Sequence, residues 1–313
     1  MFDLVAAWRS MVRMRAFEQA VAAGVSAGEI HGEMHIGLGQ EAIAAGIEPL
    51  LRDTDAVIST HRPHLHALAH GVPPIPLLAE IFERVGMNAG KGGHMHLFDP
   101  TRPFMCTGIV GASAPIALGY AFAFRHRGED NIALAIAGDG AMNIGAVLES
   151  LNLAAAWRLP VVFLVEDNGY GISVAKGHAS AGELAHRGKP LGVPGFACDG
   201  TDPEAVHAAA EPAFKRAREG KGPSIVVGSC YRYSGHYEGD FDLYRSKAEK
   251  DAAMAPNRDP IARAETQLLQ RGFDHGTLCE MAAEEEGAVA EWVRAACDYP
   301  WPDAHTATTG VFA

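Results

Sequence analysis

The sequence predicts an α/β fold, a parallel sheet flanked by helices, with helical extensions at both ends. Three observations carry that reading. Residues 131–137, apolar after Asn131, and 161–165 are short runs of the kind that form strands buried on both faces. Between them Ile144, Val147, Leu148, Leu151, Ala154 and Ala155 recur at helical spacing until Pro160 closes the element. Each run ends in polar, glycine-containing punctuation, Gly138-Asp139-Gly140 after the first and Glu166-Asp167-Asn168-Gly169 after the second. Strand, helix and strand in this order make a right-handed crossover with parallel strands. Asp139 and Asn168 therefore leave the sheet at the same carboxyl edge, where such folds bind ligands.

The remaining elements follow in order. Residues 1–50 read as a helical N-terminal extension, with Val5, Trp8, Val12, Ala16 and Ala20 at helical spacing. The α/β core spans 51–250. It opens with the apolar pair Val57-Ile58, after which Pro63 marks a loop or helix start. Residues 111–127 read as a helix rich in Ala and Gly, able to pack closely, and 224–228 as another strand. Residues 251–313 form a helical C-terminal extension, around 262–270 and 278–296, and the whole is one structural domain. The run Glu284-Glu285-Glu286 reads as a solvated helix face.

Composition bounds the function. With 313 residues, 48% of them hydrophobic, the chain can bury a large core. A net charge of -12 argues against nucleic acid as partner. No run approaches the roughly 20 apolar residues of a membrane helix, and the N-terminus does not resemble a signal peptide, so a cytoplasmic protein is expected. Cys106, Cys198, Cys230, Cys279 and Cys297 show neither paired nor zinc-type spacing and read as reduced thiols.

The strand exits suit a metal–diphosphate site. Magnesium takes near-octahedral oxygen coordination, typically one or two protein ligands with phosphate oxygens and water, which matches Asp139, the Asn168 carbonyl and a diphosphate. Glycines admit the phosphates close to the backbone, and a helix starting near Ala141 aims amide donors at the anion. Local cations are available in Arg62, whose planar fork suits phosphate, and in the histidines around it, His61 and His64. His236 lies in a loop beyond the 224–228 strand and titrates near neutrality in its ordinary state. His94 and His96 flank Met95 in a glycine-rich stretch and read as loop-ordering rather than as a metal pair; Glu41 reads as a structural residue at a helix start.

With Gly138-Asp139-Gly140, Asn168 and the helix between them, the chain resembles thiamine diphosphate enzymes. More narrowly it is similar to alpha subunits of two-chain 2-oxo acid dehydrogenase E1 components, the group that includes pyruvate, branched-chain 2-oxo acid and acetoin dehydrogenases. The likeness runs from 11–18 and 39–42 through 90–96 and 108–111 to 231–236 and Asp303. It implies a thiamine diphosphate-binding fold and the following roles. His61 and Arg62 contact the diphosphate, and Gly108 and Val110 hold the aminopyrimidine through backbone groups. Gly140, Ala141 and Ile172 also touch the cofactor. Asp139, Asn168 and the Tyr170 carbonyl hold Mg2+. His236 is the active-site loop histidine, and His64 lies near the reacting carbon. Asp167 replaces the Asn usual before the metal-binding Asn, adding a negative charge that either raises metal affinity or caps a helix or turn.

The resemblance also implies a reaction: cleavage of the carbon–carbon bond next to a carbonyl, in acetoin or a 2-oxo acid such as pyruvate, and transfer of the acyl group to a lipoyl carrier protein. His61 before Arg62, where Tyr is usual in the pyruvate and branched-chain members, favours acetoin. No second Gly-Asp-Gly-like unit follows, so the glutamate that activates the aminopyrimidine is expected on a beta subunit in an alpha2beta2 heterotetramer. Tyr237 stands where mammalian members carry a phosphorylated Ser, which argues against a Ser-directed kinase there. The alternatives are an acyloin-forming carbon–carbon ligase of the same family, or a non-catalytic binding or regulatory subunit.

Overall fold

The computed structural model describes residues 2–309. Helix α1 (Leu4–Ala27) begins at Asp3, whose carboxylate accepts from the Ala6 amide at 3.0 Å, and ends at Gly28 in the left-handed region. After an irregular stretch come α2 (Glu41–Ile47), β1 (Ala56–Ser59), α3 (His64–Ala69), α4 (Pro74–Ile81), β2 (Phe98–Asp99) and β3 (Phe104–Cys106). The centre is α5 (Ser113–Arg127), β4 (Ala133–Gly138), α6 (Gly145–Trp157) and β5 (Val161–Asp167). A small hairpin, β6 (Tyr170–Gly171) with β7 (Val174–Ala175), leads into the single turn α7 (Lys176–Ala179). Then follow β8 (Gly195–Asp199), α8 (Pro203–Arg218) and β9 (Ser224–Ser229), and finally α9 (Lys247–Ala253), α10 (Pro260–Gln270) and α11 (His275–Cys297).

Seven strands form one sheet in the order β2-β3-β1-β4-β5-β9-β8, parallel throughout except for the short edge strand β2. Alternation along the strands divides the core. Val57, Leu134, Ile136, Val162, Leu164 and Val226 pack on one face with Phe17, Ile43 and Phe214 from α1, α2 and α8. The opposite face of β4 is all alanine (Ala133, Ala135, Ala137), against Ala114, Ala117 and Ala121 of α5. Small residues on both partners let α5 lie close to the sheet. Helices therefore cover both faces, as parallel sheets require.

Three expectations need correction. The α-helix after Gly140 does not start near Ala141: residues Gly140–Asn143 form a 3-10 turn, and α6 begins at Gly145. The tighter turn keeps the chain at the sheet edge before the helix departs. The N-terminal 50 residues are not continuously helical, since 28–40 form turns and irregular chain between α1 and α2. Glu285 is not solvated; it is buried and takes Arg9 Nε and Arg13 Nε, each at 2.6 Å, tying α11 to α1. Residue 1 and residues 310–313 of the expected extensions lie outside the described residues.

Candidate active site

β4 and β5 pair in register up to Gly138 and Glu166, so their carboxyl ends are level. Asp139 and Asn168 thus stand side by side, lining a cavity of about 660 Å3 with Gly138, Gly140, Ala141, Tyr170 and Ile172. A Cβ on Gly138 would meet no protein atom within 4 Å, so the glycine leaves space that a ligand can take. Asn168 is oriented from behind: its Nδ2 donates to Gln40 Oε1 at 2.9 Å, and its Oδ1 accepts from the Tyr170 amide at 3.3 Å. Gly169, at φ 83, turns the chain into the β6–β7 hairpin. Ile172 at the hairpin tip has φ 55, a costly conformation for a β-branched residue, and its carbonyl accepts from Arg232 Nη2 at 3.2 Å.

Two buried carboxylates at this edge keep an unpartnered oxygen, Asp139 Oδ2 and Asp167 Oδ1. Burial, with the charge of Asp167 as a second cause, pushes Asp139 up to about 6. Such groups call for a cation. The donor set, carboxylate and amide oxygens, is hard and suits magnesium. The residues therefore fit a metal-bridged diphosphate. Asp167 caps nothing; its Oδ2 lies 2.5 Å from Lys176 Nζ.

A second group of cavity residues is cationic. Arg62 is buried, donating from Nη1 to Ile36 O at 2.7 Å and from Nη2 to His236 O at 2.5 Å. The rings of His35, His61 and His236 lie 4.7 to 5.3 Å apart, and His94 Nε2 sits 3.1 Å from His35 Nδ1. Burial holds all four imidazoles well below their ordinary value, and Arg62 adds to this for His35, His61 and His236; His236 is held at about 4. His35, His61 and His236 each offer a ligand atom within 4.8 Å of the others. Arg62 Nη2 and Arg232 Nη1, at 3.3 and 3.5 Å from His236 Nδ1, make the locale one for anions instead.

Gly108 and Val110 line the cavity, Val110 being exposed on its rim. His64 does not line it. It is fully buried, with Nδ1 2.9 Å from Glu18 Oε2, because α3 turns it into the packing against α1. It lies beneath the histidine group, its ring 6.2 Å from that of His94, and its Nε2 has no hydrogen-bond partner. Glu41 is likewise buried, accepting from Arg15 Nε at 2.7 Å and the Gly39 amide at 3.0 Å. Sequence reasoning missed His35, Arg232, Gln40 and Lys176. Arg232 lies in the 231–236 motif and was the most findable of the four. Gln40 lies in the 39–42 segment of the likeness, while His35 and Lys176 carry no local signal.

A family profile described as dehydrogenase E1 component matches residues 9–305. The alpha subunit of the pyruvate dehydrogenase E1 component from Rhizobium meliloti is 40% identical over 96% of this chain and 87% of its own length. The alpha subunit of acetoin:2,6-dichlorophenolindophenol oxidoreductase from Cupriavidus necator is 42% identical over 92% of this chain and 90% of its own. Its counterpart from Bacillus subtilis is 36% identical over 97% and 92%. With a cavity that fits a diphosphate and a family match along almost its whole length, the chain belongs to the dehydrogenase E1 component family, which implies thiamine diphosphate as cofactor.

Proposed function

We propose that the chain is the alpha subunit of a two-chain dehydrogenase that cleaves the bond next to a carbonyl in acetoin or a 2-oxo acid such as pyruvate, passing the acyl group to a lipoyl carrier protein. The observation that carries this is the pair Asp139 and Asn168 at level strand ends, with an unpartnered buried Asp139 oxygen facing a cavity of about 660 Å3. Similar proteins named for pyruvate and for acetoin stand at 40% and 42% identity, so similarity does not separate the two substrates. It favours neither the ligase nor the non-catalytic alternative.

In this reading Asp139, Asn168 and the Tyr170 carbonyl hold Mg2+, and Gly140, Ala141, His61 and Arg62 receive the diphosphate. Gly108, Val110 and Ile172 position the organic part. The bound cofactor supplies a carbon nucleophile. Half-buried His236, neutral at pH 7, is equipped to take a proton from an oxygen and then return it, with Arg62 fixing its ring and Asp240 Oδ2 its backbone amide at 2.6 Å. His64, buried against Glu18, acts through packing rather than on substrate.

E1 alpha chains have a beta-subunit partner, and we assign to it the glutamate that activates the aminopyrimidine, in an alpha2beta2 assembly. Of the carboxylates lining the cavity, Glu166 is bound to His66 and Asp139 belongs to the metal end; Glu33 is exposed on the rim. The test is co-expression with the beta subunit, following an artificial electron acceptor with acetoin and with a panel of 2-oxo acids. Turnover only in the co-expressed sample is expected. Turnover by the isolated chain would overturn the two-chain reading and point to Glu33. Silence on every substrate would favour the ligase.

A further inference from the structure

We infer that Lys176 is a further positioning residue for the diphosphate, acting on the anion in its own right and not only as the partner of Asp167; this rests on the cofactor reading above. Lys176 follows directly on the β6–β7 hairpin, and its amide donates to Gly169 O at 2.8 Å, which closes the loop that begins at Asn168. That closure brings Nζ to 2.5 Å from Asp167 Oδ2 and places the side chain in the cavity lining beside Asp139, Gly140 and Asn168.

Charge and donor count point the same way. Asp139 lines the cavity and Asp167 lies near enough for its charge to act on Asp139, each with an unpartnered oxygen. A divalent ion would satisfy the Asp139 oxygen, but a diphosphate entering the same space brings further negative charge. An ammonium has three donors, and Lys176 uses one of them on a protein oxygen. Its side chain keeps 40% of its exposure and is free to swing on a flexible four-carbon stem. Arg62, by contrast, is buried and pinned by Ile36 O and His236 O, so its remaining donors are offered from a fixed position. Lys176 is thus the adjustable cation at the metal end, poised by Asp167 and able to spare donors for phosphate oxygens.

The test separates this from simple neutralisation of Asp167. The chain assembled with its beta subunit is titrated calorimetrically with thiamine diphosphate at saturating magnesium, for the unsubstituted complex, K176M, D167N and D167N/K176M, with melting curves to confirm folding. K176M is expected to weaken binding about tenfold, the size of one charge-assisted hydrogen bond. D167N is expected to bind at least as tightly as the unsubstituted complex. The double variant, which leaves no carboxylate at 167 deprived of its ammonium, is expected to bind about tenfold more weakly than D167N. That comparison decides the matter even where K176M alone does not fold. A double variant that binds as tightly as D167N overturns the inference and leaves Lys176 a partner of Asp167 alone. Absence of binding by the unsubstituted complex overturns the cofactor reading itself, and the inference with it.

Discussion

Two pairs of buried acids lie near the carboxyl edge of the same sheet and behave oppositely. Glu18 accepts from the Gly37 amide at 2.9 Å and sits 2.9 Å from His64 Nδ1, while Glu166 lies 3.1 Å from His66 Nε2, whose Nδ1 is 2.9 Å from Ser59 Oγ. Asp139 and Asp167 are as deeply placed, yet each leaves one oxygen without a partner. Burial is common to all four; what differs is whether the protein itself supplies the partner. Acids whose partners are protein groups build the scaffold, and acids left wanting one mark where a ligand comes.

The largest effect that would test this contrast is Glu18→Ala. It strands the Gly37 amide and His64 in the core, so stability should fall by about 3 kcal/mol, read from urea unfolding. A loss under about 1 kcal/mol would place Glu18 outside the scaffold. Asp139→Asn is the converse experiment. Cofactor binding in the presence of magnesium should weaken by more than about 100-fold, while the ligand-free chain melts no lower than before, because an uncompensated buried carboxylate has gone. A large drop in melting temperature without loss of binding would exchange the roles of the two acid pairs.

Gln40→Leu sharpens the comparison one step further out. Without Oε1 to take its amide, Asn168 is free to present nitrogen instead of oxygen, and magnesium affinity should fall about 10- to 100-fold with little change in fold. Unchanged affinity would show that the Tyr170 amide suffices to orient Asn168. The smallest effect is a pH dependence. His35, His61 and His236 have folded values below the ordinary 6.5, so the unfolded chain binds more protons and stability drops as pH falls from 6.5 toward 4. Asp139, held at about 6, opposes this by taking its proton first in the folded chain. Allowing for partial exposure, the net loss should be about 1 kcal/mol in melting curves of the ligand-free chain. A melting temperature that stays level or rises on acidification would contradict the neutral imidazoles.

Much of the site was legible because its anchors are local. Gly138-Asp139-Gly140 and Asn168 each end an apolar run, and a strand–helix–strand unit has one handedness, so their meeting follows from chain order. What was not legible is long-range. Gln40 and Asn168 are 128 residues apart, and Arg62 and His236 are 174 apart. His35 reaches the cavity on irregular chain with no periodicity to betray it. Glu285 looked like one of three solvated glutamates because a run of like charges shows no sign of two arginines on a helix 272 and 276 residues away. His64 lies two residues from Arg62, but Arg62 precedes α3 and lines the cavity, whereas His64 opens α3 and packs against Glu18 of α1.

The sequence by itself determined the parallel α/β core, the order of its central unit and the two ligand-bearing strand exits, since periodicity, strand length and crossover handedness are properties of contiguous chain. Tertiary structure alone decided which buried charges are satisfied. Asp167 and Asp139 differ from Glu166 and Glu18 by nothing that composition reveals; they differ in what the folded chain brings within hydrogen-bond reach, and a hydrogen bond is made or lost over about an ångström.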